Sequence, residues 1–159
     1  NNHPKLAIFN LTEIAFKDQQ YSSHTEQFIV NALRNSGQLT LSLVAEYNNE
    51  VMGHIAFSPV SISDQSTGWY GLGPVSVQPE IKHKVLAKAN NDGLAALKDL
   101  GAAGCVLLGE PEYYGRFGFK ADPRLVLENV PAEYFQVLAF SKTIPTGSVV
   151  YAEAFNATA

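Results

Sequence analysis

Between residues 69 and 108 the chain alternates strand, helix and strand, and this unit narrows the possible folds more than any other segment. Trp69 to Val77 reads as a strand, interrupted by Gly71, Gly73 and Pro74, residues that break a ladder or open its edge. From about Lys84 to Leu100, Leu86, Ala89, Gly93, Leu97 and Leu100 recur at spacings of 3, 4, 4 and 3, which predicts an amphipathic helix stopped by Gly101. Ala103 to Leu108 is a continuous apolar run, as in a strand covered on both faces. Two strands joined through a helix pair in parallel, so the middle third of the chain holds the centre of a sheet.

The remaining segments extend that sheet. Leu6-Ala7-Ile8-Phe9 reads as a short strand, with a short helix starting at Thr12 and Glu13. His24 to Ser36 is a second helix, since Phe28, Ile29, Ala32 and Leu33 have helical spacing and Gly37 supplies a stop. Leu39 to Tyr47 and Glu50 to Ile62 are strands, joined by a tight turn at Asn48-Asn49. Pro111 opens a turn of helix carrying Tyr113 and Tyr114, and two late strands are expected near Gln136 to Phe140 and Ser148 to Ala154. The class is α/β with a mixed sheet. Nothing repeats and no linker stands out, so residues 1–159 are read as a single domain.

Composition excludes several roles. With 11 Lys+Arg against 15 Asp+Glu the net charge is −4, which argues against nucleic acid or anionic lipid as partner. No apolar run has the length of a membrane span, and Asn1 to Lys5 leads into nothing of signal type. The one cysteine, Cys105, lies in an apolar run and reads as an inert core thiol, which fits a reducing, cytoplasmic setting. The four histidines lack metal-site spacing, so no metal is expected.

Chemistry concentrates in two places. Gly71-Leu72-Gly73-Pro74-Val75-Ser76-Val77 leads through Gln78-Pro79-Glu80 into the long helix, whose first turn carries unpaired N–H groups and about half a positive charge. Lys82, Lys84 and Lys88, with His83, add a local positive mouth in an acidic chain, and such a helix start suits an anion such as a phosphate. The second place is Gly109-Glu110-Pro111-Glu112-Tyr113-Tyr114-Gly115-Arg116-Phe117-Gly118-Phe119, which follows the neighbouring parallel strand.

Taken together these segments resemble the GCN5-related N-acetyltransferase (GNAT) superfamily, in particular a bacterial subgroup of predicted acetyltransferases ending in YYGRFGF. The resemblance extends over nearly the whole chain, through Ser23-x-x-Glu26 with Leu33-Arg34, Leu41 to Glu46, Gly53 to Val60, and Gly101 to Cys105. It implies a mainly antiparallel central sheet, flanked by helices, in which two parallel strands splay apart. It also implies an acyl-CoA-dependent transfer of an acetyl group from acetyl-CoA to a primary amine on a small molecule or protein. The pantetheine arm would pair with backbone of Val75, Ser76 and Val77, and the pyrophosphate would sit on the turn entering the helix. By position that cofactor site comprises Lys82, His83, Lys84, Val85, Leu86, Ala87 and Lys88. Tyr114 matches the tyrosine that protonates the departing thiolate, and a homodimer formed through the late strands is common among relatives.

The chain also departs from the family pattern. The usual pyrophosphate signature, Gln/Arg-x-x-Gly-x-Gly/Ala, stands here as Lys82-His83-Lys84-Val85-Leu86-Ala87, with a β-branched residue where glycine allows close phosphate approach. Val85 therefore separates two readings: an acetyltransferase, or a weakened member binding CoA or a protein partner as a sensor or scaffold. Asn90-Asn91 stands where relatives carry apolar residues and is expected to weaken the packing stripe. No acid lies between Trp69 and Val77, leaving Glu26, His54 and Glu110 as candidate bases. Alternation of His54 with Met52 and Ala56 favours a hydrogen-bonded structural histidine, and Glu26 reads as a solvated face residue.

Overall fold

A computed structural model describes residues 26–37, 39–47, 50–77 and 82–152. The expected strand at Leu6 to Phe9, the helix start at Thr12, the first two residues of the His24 helix, the Asn48-Asn49 turn and the approach to the long helix at 78–81 lie outside the described residues. Helix α1 covers Glu26–Ser36, and strands β1, Leu41–Tyr47, and β2, Glu50–Ile62, pair antiparallel. Strand β3, Trp69–Val77, then leads to helix α2, Lys82–Asp99, and to strand β4, Gly104–Leu108. A short helix α3, Pro111–Tyr114, precedes strands β5, Lys120–Ala121, β6, Leu125–Val126, β7, Phe135–Ala139, and β8, Gly147–Tyr151.

These strands form one mixed sheet in the order β5-β7-β4-β3-β2-β8-β6, with β1 also paired to β2. Of the strand pairs, β3–β4 and β6–β8 are parallel and the others antiparallel. The edge of β2 facing away from β3 serves two partners: β1 along Glu50 to Phe57, and β8 along Val60 to Ile62. Ser58 and Pro59 fall between them, and a proline has no N–H to give to a ladder.

The predicted bounds of β2 and β3 hold to the residue, because turn-forming residues bracket both. Other limits shift. Helix α2 begins at Lys82 rather than near Lys84, since neither Gly nor Pro occurs from 82 to 92 to break it. The last strand covers Gly147–Tyr151 rather than starting at Ser148, and the two-residue strands β5 and β6 were not expected.

Period-2 alternation places an apolar layer on each face of the sheet. Ile55 and Phe57 of β2, Leu72 of β3, and Cys105 and Leu107 of β4 pack with Ala89, Leu94 and Leu97 of α2 and with Phe119. On the other face Val60, Ile62, Trp69, Val106, Phe135, Val137 and Val149 form a second cluster. The α2 stripe differs from expectation at one end. Leu100 is 58% exposed, because the chain leaves the helix at Asp99 and turns through Gly101, whose φ is 85°.

Gly93 sets how closely α2 approaches the sheet. A Cβ there would stand 2.5 and 2.6 Å from ring atoms of Phe57, a side chain with no exposure and no room to yield. Replacing Gly93 by Ala gains about 1 kcal/mol of helix propensity, but overpacking of this kind costs about 1–3 kcal/mol. The expected outcome is a net loss of stability in urea denaturation for Gly93→Ala, and a net gain would contradict the close packing described.

Candidate active site

Strands β3 and β4 part company after three residue pairs. Trp69, Tyr70 and Gly71 lie opposite Gly104, Cys105 and Val106, and beyond Gly71 no strand pairs with this edge of β3 among the described residues. On its other edge β3 stays paired to β2 as far as Val77. The turn away has a local cause. From Leu72 to Val75 β3 advances three residues while β2 advances two, from Phe57 back to Ile55, so β3 carries a bulge at Gly73-Pro74. Gly73 has φ 152° with no atom within 4 Å of the place a Cβ would take, so backbone conformation rather than space calls for glycine. β3 and β4 thus part as two arms, and among the described residues no strand covers the β4-side edge of β3 from Leu72 to Val77. Val75 packs against the core on the α2 face, while Ser76 lies opposite His54 in register and Val77 opposite Gly53.

The other arm ends in the tyrosine turn. Gly109 follows β4, Pro111 starts α3, a 3₁₀ turn covers Gly115–Phe117, and Gly118 with φ 98° ends it so that Phe119 enters the core. The ring of Tyr114 lies where a side chain on Gly109 would be, 2.6 Å from the Cβ position. Gln136 of β7, buried, donates from Nε2 to the Gly109 carbonyl at 2.9 Å and so holds the turn against the sheet. Tyr114 also meets Tyr113 edge-on at 4.9 Å between centroids and Phe119 at 6.2 Å. Burial, and then the neighbouring Tyr113, push the Tyr114 phenol well above its usual value, so it stays protonated at neutral pH. Burial raises the Cys105 thiol in the same way, in keeping with an inert core residue.

Asn90 departs from expectation. It does not interrupt the packed stripe of α2: it is 1% exposed and donates from Nδ2 to the Tyr113 hydroxyl at 3.4 Å, while Asn91 is the exposed neighbour. The guanidinium of Arg116 stands 4.6 Å from the centre of the Tyr113 ring. Of the residues that build this region, the sequence reading took Asn90 only as a break in the apolar stripe and Gly109 only as the start of the tyrosine segment, and it gave Gln136 no role beyond opening a strand. A polar residue inside an apolar helical stripe, or between Phe135 and Val137 in a strand, is the signal that marks two of them.

The basic segment lies inside α2 rather than before it. Lys82, His83, Lys84, Val85 and Leu86 form its opening backbone, Ala87 is half-buried, and Lys88 is exposed with its Nζ 2.8 Å from Asp92, one turn on. Of the candidate bases, Glu26 is the first residue of α1, and Glu110 is exposed just before α3, without a side-chain capping bond. His54 is 1% exposed and shares a 2.8 Å hydrogen bond between its Nε2 and the Ser42 hydroxyl. Burial, helped by the charge of Arg34, holds its pKa down to about 4, so it is a neutral structural side chain at pH 7. No group of metal-binding side chains occurs among the described residues, and none of their helices is long and apolar enough to cross a membrane.

The depressed His54 pKa has a consequence for stability. The unfolded chain binds this proton near pH 6.5 and the folded chain only near pH 4, so the contribution is complete above 6.5 and is lost as pH falls toward 4. The loss amounts to at most about 3 kcal/mol. Denaturation curves across that window should be steeper in pH for the parent than for His54→Leu, and equal slopes would contradict the assignment.

Comparison with known proteins agrees with this geometry. No protein-family model matches the chain. A GNAT family acetyltransferase from Brucella melitensis, crystallised with acetyl-CoA, is 48% identical, with a TM-score of 0.86 over 98% of this chain and 94% of that one. The Escherichia coli GNAT family N-acetyltransferase YhbS, crystallised with CoA, is 32% identical, with a TM-score of 0.84 over 96% and 86%. In sequence alone the chain is 38% identical over 104 residues to the uncharacterised N-acetyltransferase YhbS of E. coli K12, a stretch covering 64% of this chain and 62% of the relative. That alignment thus spans less than two thirds of the E. coli protein. With a shared fold, the parted strand pair and near-complete coverage of a relative at almost half identity, the chain belongs to the GNAT family of acetyltransferases.

Proposed function

We propose that this chain is an N-acetyltransferase that uses acetyl-CoA as acyl donor and a primary amine as acceptor. The parting of β3 and β4 carries this reading, because along Leu72 to Val77 it leaves one edge of β3 with no strand partner among the described residues, a few residues ahead of helix α2 in the chain. The pantetheine arm is an extended chain containing amides, which such an edge suits, and α2 opens with a segment of cationic side chains suited to the phosphates. The fit is therefore to backbone on one side and to positive charge on the other. Solved relatives with acetyl-CoA and CoA support the same ligand.

The residues divide the work accordingly. Val75, Ser76 and Val77 hold the arm through their main chain, and Lys82 through Lys88 hold the phosphate end. Acetyl-CoA supplies the acetyl group as a thioester. A neutral amine nitrogen attacks the carbonyl carbon, the carbon–sulfur bond breaks, and a main-chain N–H from Val75 to Val77 stabilises charge on the carbonyl oxygen. Tyr114 then gives its phenolic proton to the departing sulfur, and the proton that the nitrogen sheds on becoming an amide restores the phenol, directly or through water. Its enclosure keeps that proton in place beforehand, and the same exclusion of water raises the basicity of the thiolate that receives it.

Two measurements test this reading. Acetyl-CoA at a hundredfold excess over its Kd should stabilise the protein by about 2.7 kcal/mol, and no rise in Tm at millimolar acetyl-CoA would remove the donor. In a screen of amines followed by thiol release, Tyr114→Phe should lower kcat on the order of 10²-fold while leaving acetyl-CoA affinity unchanged. Unchanged turnover in that variant would remove the acid role of Tyr114.

A further inference from the structure

One carbonyl just past the end of β4 is held by a side chain where a ladder would hold it by backbone. Gly109 gives its N–H to the Tyr134 carbonyl at 2.9 Å, which extends the β4–β7 pairing by one residue. In an antiparallel ladder the return bond would run from the Tyr134 N–H to the Gly109 carbonyl. That N–H goes instead to the Pro131 carbonyl, at 3.1 Å, in the 3₁₀ turn Ala132–Tyr134. Gln136 supplies the missing donor, its Nε2 reaching the Gly109 carbonyl at 2.9 Å. The same side chain carries a cost. Gln136 is 1% exposed and its Oε1 has no hydrogen-bond partner, a buried unpaired oxygen that packing alone would not call for. The bond it donates accounts for the amide, because only the NH₂ end can face a carbonyl.

What that bond holds is the seat of Tyr114. The Tyr114 ring stands 2.6 Å from the Cβ position of Gly109, so a shift of the Gly109 backbone shifts the surface on which the ring rests. Its other neighbours are the rings of Tyr113, Phe117 and Phe119, and no described residue hydrogen-bonds its hydroxyl. The place of the phenol is therefore set from the ring side alone. Proton transfer requires the donor oxygen to come within about 2.6–3.2 Å of its acceptor, or one water away, so the seat of the ring bears on the rate. We propose that Gln136 is a positioning residue for the acetyl transfer: by donating to the Gly109 carbonyl it fixes the Tyr114 ring and so the reach of the phenol toward the departing sulfur. The inference rests on the reading of Tyr114 as the acid. Gln136 acts through Tyr114 and needs no contact with either substrate.

Steady-state thiol release from acetyl-CoA with one accepted amine, measured for the parent, Gln136→Met, Tyr114→Phe and the double variant, tests this. Methionine keeps the unbranched shape of glutamine but has no donor for the carbonyl. Gln136→Met should lower kcat on the order of tenfold, and by no more than Tyr114→Phe does, with KM for acetyl-CoA within about twofold of the parent. In the Tyr114→Phe background the same substitution should lower kcat no further, since the group it positions is already gone. A role in packing alone predicts a lower Tm with kcat intact in the folded variant. Losses that multiply in the double variant, a kcat within about threefold of the parent, or a loss carried by KM, overturn the inference. If Gln136→Met does not fold, Gln136→Ala, which cannot overfill the site, meets the same comparisons. A parent that transfers acetyl to no amine, or a Tyr114→Phe variant with unchanged turnover, overturns the reading beneath this inference and the inference with it. A loss in Tyr114→Phe beside an unaffected Gln136→Met overturns only the role of Gln136.

Discussion

A strand inside a sheet normally pairs along both edges, and the organisation of this protein depends on the place where one does not. β3 keeps its ladder with β2 to Val77 but leaves β4 after Gly71, so among the described residues its second edge from Leu72 to Val77 has no strand beside it. Main-chain polar groups in that position must be satisfied by water or by a ligand. The bulge at Gly73-Pro74 enforces the departure, since an extra residue on one strand bends it and increases its twist. Everything assigned to the site stands around that opening: α2 extends from one arm and the tyrosine turn from the other.

Packing on the α2 face keeps the two arms at a fixed separation. Gly93 lets α2 lie close on Phe57, and Leu94 and Leu97 anchor the helix against Ile55 and Leu107. On the other arm, Gln136 ties the Gly109 carbonyl to β7, and the absent side chain of Gly109 leaves the space that the Tyr114 ring fills. The tyrosine is thus fixed by a glycine, an amide and three aromatic rings, a rigid setting for the proton-donor role proposed for it. His54 lies on the opposite face, neutral and held by Ser42.

Much of this was legible in the sequence where physical punctuation is strong. Gly and Pro within Trp69 to Val77 marked the broken strand, and the apolar run to Leu108 marked its parallel neighbour, although only the observed register shows that pairing stops at Gly71. Strands β5 and β6 could not be read, because a two-residue strand has no periodicity and exists only through its partner. Leu100 fitted the helical stripe but falls beyond the helix, where spacing no longer predicts direction. Asn90 was the instructive miss: on the sequence it is a blemish in an apolar face, and only the position of Tyr113, 23 residues away, makes it part of the site. Gln136 is of the same kind, since its partner Gly109 lies on another strand's end.

The most direct test of the central claim is a crystal structure of the protein with CoA. The account predicts the pantetheine arm between β3 and β4, bonded to the main chain of Val75 to Val77, with the phosphates against the first turn of α2. CoA bound anywhere else on the molecule, or strands that stay paired beyond Gly71 and Val106 and leave no room for it, would contradict the account.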